Sequence, residues 1–90
     1  MEAQSVKVTI LNKLGLHARP AMSFADTAAQ FKADIHVIKA GTKYDGKSIM
    51  NLMMLAATQG TELEIQASGA DADEALAALQ QLVESKFEEE

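Results

Sequence analysis

The chain contains no cysteine, which excludes a disulfide framework and a thiolate metal site. Tryptophan is absent, tyrosine occurs once and phenylalanine three times, so aromatics make up 4% of the 90 residues. That is sparse for the surfaces on which RNA bases stack. Positive charge is not in excess either: 13 acidic residues against 8 basic give a net charge of −5. This argues against general nucleic-acid binding, which relies on clustered Lys and Arg. No apolar run approaches the about 18 residues needed to cross a membrane. The opening Met1-Glu2-Ala3-Gln4 is polar and acidic, unlike a signal peptide. A soluble cytoplasmic protein without membrane insertion is expected. His36 has no His, Cys or carboxylate at a metal-ligand spacing, so no metal site and no cofactor are expected.

What is present is a chain that is 48% hydrophobic, read as one domain over 1–90. A chain of this size buries roughly 60–65% of its unfolded surface. Val6, Val8 and Ile10 alternate with Lys7 and Thr9, predicting a half-buried strand over 6–11. A helix over 20–31 follows, with Phe24, Ala25, Ala28 and Phe31 facing the core. Asp34 opens a strand over 35–39, with Ile35 and Val37 on one side and a solvated His36 on the other. Ala40-Gly41-Thr42 turns into a short edge strand over 43–46, which Asp45-Gly46 weakens or ends. Ser48 heads a short apolar helix with Leu52 and Leu55 in the core, and Gly60 is expected at its left-handed cap. Residues 62–67 alternate as a last strand. Asp71 and Glu74 predict a capping box on a final helix striped with Ala75, Leu76, Leu79, Leu82 and Val83. Glu88, Glu89 and Glu90 oppose the helix dipole, so the tail 86–90 is expected to fray. The order βαββαβα implies an α+β fold, with helices on one face of an antiparallel sheet.

The single proline, Pro20, falls where the first helix begins, and its missing N–H has no intrahelical role there. His17 therefore lies at or just before a helix N-terminus. Free backbone N–H groups and the positive end of the helix dipole attract anions at such a place. Arg19 adds a planar cation suited to phosphate oxygens. Singly, His17 reads as a cap or surface residue and Arg19 as a solvated charge. Together, with Gly15 permitting a tight approach, they read as an anion site. These features leave open whether His17 itself takes a phosphate.

The string Asn12-Lys13-Leu14-Gly15-Leu16-His17-Ala18-Arg19-Pro20-Ala21 resembles the active-site signature of the HPr family, the histidine phosphocarriers of the bacterial sugar phosphotransferase system. Gly46-Lys47-Ser48-Ile49-Met50 resembles that family's regulatory-serine region, although the Asp45-Gly46 pair before it departs from the usual strand. The resemblance covers about residues 6–82. It implies an open-faced β-sandwich, a four-stranded antiparallel sheet covered on one face by three helices, with the first and last strands adjacent at the centre. It implies a monomeric stoichiometric carrier rather than an enzyme. His17 would accept a phosphoryl group through Nδ1 from phospho-enzyme I, charged by phosphoenolpyruvate, and pass it to an enzyme IIA domain. Arg19 and the backbone N–H groups of Ala18, Arg19 and Ala21 would hold the phosphate. Ser48 would be the target of a bifunctional HPr kinase/phosphorylase, and phosphate there would set about two negative charges on the docking face.

Charge is divided unevenly along the chain. Residues 1–50 hold seven basic and four acidic residues, and residues 51–90 hold one basic and nine acidic. The half carrying His17 and Ser48 is thus cationic, which suits steering towards an acidic partner. Ile49, Met50 and Met53, with Lys47, are the candidate docking patch, because methionine adapts to several partners; core filling is the alternative for any single Met. Three other functions compete. One is a regulatory, nitrogen-type relay within the family. Another is a small-ligand or RNA-binding module on a similar sheet. The third is a hydrolase using His17 as base, which lacks a nearby Ser or Cys nucleophile.

Overall fold

A computed structural model describes residues 3–88. Its elements are β1 (Gln4–Thr9), α1 (Ala18–Ala29), β2 (Asp34–Lys39), β3 (Thr42–Asp45), α2 (Ile49–Met54), β4 (Glu62–Ser68) and α3 (Ala72–Glu84). The strands form one antiparallel sheet in the order β1-β4-β2-β3. β1 and β4 are neighbours as expected, but β1 is an edge strand. The centre belongs to β4 and β2, where Ile65 stands between Val6 and Val37 in the ladder.

Period-two alternation decides which side of the sheet is covered. Val8, Ile35, Val37, Leu63, Ile65 and Ala67 are buried, while Lys7 and Glu62 on the other face are exposed. α3 packs on β1 and β4, and α1 packs on α2 and α3. The apolar stripe of α1 holds as read, with Phe24, Ala25 and Ala28 buried and Phe31 partly so. That of α3 buries Ala75, Leu76, Leu79 and Val83, with Leu82 packed against them.

The expected capping box at α3 does not form. Asp71 is the N-cap, but its φ of −106° and ψ of 25° leave the extended geometry, and its side chain makes no cap bond. The carboxylate instead accepts the backbone N–H groups of Lys32 and Ala33, each at 2.8 Å. These bonds tie the start of α3 to the chain leaving α1, and the Lys32 bond, with help from that of Ala33, lowers the Asp71 pKa.

Two other ends differ from expectation. α2 stops at Met54, and Ala56, at φ 52°, is the left-handed residue after it. Gly60 lies further on, donating its N–H to the Ile10 carbonyl as the chain turns into β4. Lys39 supplies part of the termination of α2, its Nζ donating to the Leu55 carbonyl at 2.7 Å. At the C-terminus, Lys86–Glu88 form a short turn with φ near +60° throughout, and Phe87 is buried. Glu89 and Glu90, on which the frayed-tail expectation also falls, lie outside the described residues.

Candidate functional site

The loop before α1 is built on backbone contacts. Asn12 is fully buried and donates its Nδ2 to the Gly15 carbonyl at 2.7 Å, while the Gly15 N–H donates back to the Asn12 carbonyl at 3.2 Å. Leu16, also buried, donates its N–H to the Ala57 carbonyl at 2.8 Å. The loop is thus folded on itself and clamped to the segment after α2, which fixes where the next residue emerges.

That residue is His17, the N-cap of α1. Its backbone is extended (φ −83°, ψ −169°) and its side chain does not cap the helix. A carrier that meets two partners calls for an exposed ring; the imidazole is half-buried instead, neither exposed nor sealed. Ala18 and Arg19 follow as the first two helical positions, whose N–H groups have no intrahelical acceptor. Pro20, buried and without an N–H, occupies the third. The Ala21 N–H donates to the His17 carbonyl at 2.9 Å, the first bond of the helix. The expected backbone cradle of Ala18, Arg19 and Ala21 therefore narrows to Ala18 and Arg19. Arg19 is exposed, as the second residue of the helix, and an anion at the helix start could meet two N–H groups and the helix dipole.

Ser48 is the N-cap of α2, its Oγ accepting the Asn51 N–H at 3.1 Å and Asn51 Nδ2 at 3.2 Å. The turn before it answers the Asp45-Gly46 question: β3 ends at Asp45 and Gly46 begins the turn. The Gly46 N–H donates to the Ile35 carbonyl at 2.8 Å, and a Cβ there would approach Ile35 Cγ2 to 2.7 Å. Only glycine fits that approach. Lys47 is exposed, yet its Nζ donates to the Phe31 carbonyl at 2.8 Å, so its charge is held at the end of α1.

Ile49, Met50 and Met53 are exposed as the docking reading requires, over a buried Leu52 and Leu55. Leu11, Leu14, Met22 and Met54 are exposed as well; the sequence marks Met54 only as one of three methionines that cannot share a narrow buried face, and the other three are not singled out by it. Met22 could have been found: it falls outside the 24, 25, 28 stripe of α1. Asn12 was missed too, because nothing in a turn string marks a polar residue as buried. His36 is half-buried on β2, paired in register with Asp45 and Gln66 away from this loop. Among the described residues no cluster of three His, Asp or Glu could hold a metal ion, and no helix is long and apolar enough to cross a membrane.

Residues 4–85 match the family model for the PTS HPr component phosphorylation site. A phosphocarrier protein HPr from Neisseria meningitidis is 50% identical over 82 residues, covering 91% of this chain and 92% of that protein. A phosphocarrier protein NPr from Shewanella violacea is 42% identical over 83 residues, covering 92% and 91%. The crystal structure of an HPr from Thermoanaerobacter tengcongensis superposes with a TM-score of 0.93 at 47% identity, covering 97% of this chain and 98% of that one. Agreement of sequence and shape over nearly the whole length of both partners leaves one conclusion: the chain belongs to the HPr family of phosphocarrier proteins.

Proposed function

We propose that His17 is the phosphoryl acceptor of this chain, charged by phospho-enzyme I and discharged to an enzyme IIA-type domain. The observation that carries the reading is the placement of a half-buried imidazole at the N-cap of α1 without a capping role for its side chain. A carrier must present one ring to two different proteins in turn, and a deep pocket would prevent that.

In the step itself the Nδ1 lone pair of a neutral imidazole attacks phosphorus. A P–N bond forms as the bond between phosphorus and the donor residue breaks, and the bonding pair leaves with the donor. The proton on Nε2 stays where it is. Arg19 and the N–H groups of Ala18 and Arg19 face the charge on the transferring oxygens. Their exposure keeps that stabilisation modest, as a relay requires, since a phosphate held too tightly would not move on. Ile49, Met50 and Met53 supply apolar docking area, Lys47 borders them, and Ser48 is the regulatory phosphorylation site of an HPr kinase/phosphorylase. The protein works as a cytoplasmic monomer and a stoichiometric carrier.

The NPr relative favours a second reading, a regulatory nitrogen-type relay using the same chemistry on His17. One experiment addresses the acceptor for both. The chain is incubated with enzyme I and labelled phosphoenolpyruvate, and the product is tested for acid lability and mapped. Label on His17, lost in His17→Ala while the mutant's circular dichroism is unchanged, supports the assignment. Acid-labile label on the mutant removes it. Transfer onward to a sugar-specific or to a nitrogen-type IIA domain separates the two pathways.

A further inference from the structure

We propose that Met50 and Met54, joined by Met53 and Met22, are sites of reversible oxidation by peroxides, and that the resulting sulfoxides slow phosphoryl transfer by making the docking face polar. The inference rests on the proposed docking role of α2. Four of the five methionines of the chain are exposed on two helices packed against each other: Met50 is 76% exposed, Met54 68%, Met22 49% and Met53 47%. There is no cysteine to compete for oxidant, so among the described residues these thioethers are the sulfur open to oxidation. Their exposure sets the order of attack, Met50 and Met54 first.

The placement also makes the change tolerable to the fold. Beneath the methionines α2 is held by Leu52 and Leu55, both buried, by the Ser48 cap and by the Lys39 bond to Leu55. None of the four sulfur-bearing side chains belongs to the buried core, so an added oxygen meets solvent rather than packed atoms. The surface is changed more than the interior: a flexible apolar group becomes a polar acceptor. The step is a two-electron transfer. The O–O bond of the peroxide breaks, one oxygen bonds to the thioether sulfur, and the other leaves as water with both protons. Sulfur is oxidised and the peroxide reduced.

The test uses the full chain treated with hydrogen peroxide, freed of oxidant, and then mixed with untreated phospho-enzyme I. Peptide mass spectrometry should show one oxygen on Met50 and Met54 before Met53 and Met22. Circular dichroism should be unchanged, and the transfer rate should fall about fivefold or more. Treatment with the two sulfoxide reductases, one per epimer, should restore it. In the triple variant Met50→Leu, Met53→Leu, Met54→Leu, whatever its starting rate, the ratio of rates before and after peroxide should stay much nearer one. The inference is overturned by sulfoxides that leave the rate unchanged, by a loss of rate that accompanies unfolding, or by an equal loss in the triple variant. Failure of the untreated protein to take label on His17 would instead remove the phosphocarrier reading beneath it.

Discussion

Gly15 and Ala57 are packed backbone to backbone. At Gly15 the chain takes φ +70°, and a Cβ there would collide with the Ala57 carbonyl oxygen and lie 2.9 Å from Thr58 Cα. That carbonyl is the one that accepts the Leu16 N–H. The contact sets His17 because Leu16 is its immediate neighbour. Gly15→Ala should cost about 1–2 kcal/mol for the left-handed backbone and about 1–3 kcal/mol for the overpacking. Urea denaturation measures the total. In the fraction that stays folded, transfer from phospho-enzyme I should slow, since the loop cannot keep both its Ala57 bond and its path into α1. Unaltered stability would mean the two segments separate freely.

The start of α1 was legible because its signals are local. A glycine, a histidine and a proline at short spacing specify a turn, a cap and a first helical turn without reference to the rest of the chain. Ser48 was legible for the same reason, its Oγ bonding three residues ahead. Asp71 shows where local reasoning stops. The residue type and the Glu74 spacing suit a capping box, yet the acceptors are used by Lys32 and Ala33, 39 and 38 residues away. A tertiary bond displaced a local one, and no window of sequence contains both partners. The expected placing of β1 at the sheet centre rests on the family resemblance rather than on local pattern: alternation shows only that Val6 and Val8 face a core, while strand order depends on partners far along the chain. Asn12 was hidden for a different reason. Its burial follows from the loop closing over it, which composition does not encode.

Ser48 joins a structural and a proposed regulatory role, and two substitutions separate them. Ser48→Ala removes the cap on the Asn51 N–H and should lower stability by about 1 kcal/mol. Ser48→Asp keeps a capping oxygen, so stability should stay near that of the parent. Its added charge on the proposed docking face should nevertheless slow transfer from phospho-enzyme I. Thermal melts and single-turnover rates read the two effects independently. A Ser48→Asp protein with parental kinetics would remove the docking role of this position.

Asp71 gives the fold an acid-sensitive tie. Its pKa lies below the usual 3.8 because the charged carboxylate accepts two backbone N–H groups. A group depressed in the folded state contributes fully above its unfolded value and loses that contribution as pH falls through the folded one. The stabilisation should therefore be constant at neutral pH and decline below about pH 4. Urea midpoints for the parent and for Asp71→Asn should differ most near neutrality and converge on acidification. A gap independent of pH would show that geometry, not charge, makes the tie.

Arg19 is the side chain whose loss should separate function from stability most cleanly. It is exposed at the second position of α1, so Arg19→Ala should leave stability within about 0.5 kcal/mol of the parent. Transfer should slow by about tenfold, because the proposed mechanism loses a charged donor to the moving phosphoryl group. Lysine restores a charge but not the planar pair of donors, so Arg19→Lys should fall between the two. If the guanidinium acts on the reacting group at short range, the ratio of parent to Arg19→Ala rates should survive moderate salt. If it only steers the approach of the partner, that ratio should collapse towards one as salt rises. Rapid-quench rates at two ionic strengths distinguish these roles, and a ratio of one at low salt would remove Arg19 from the site.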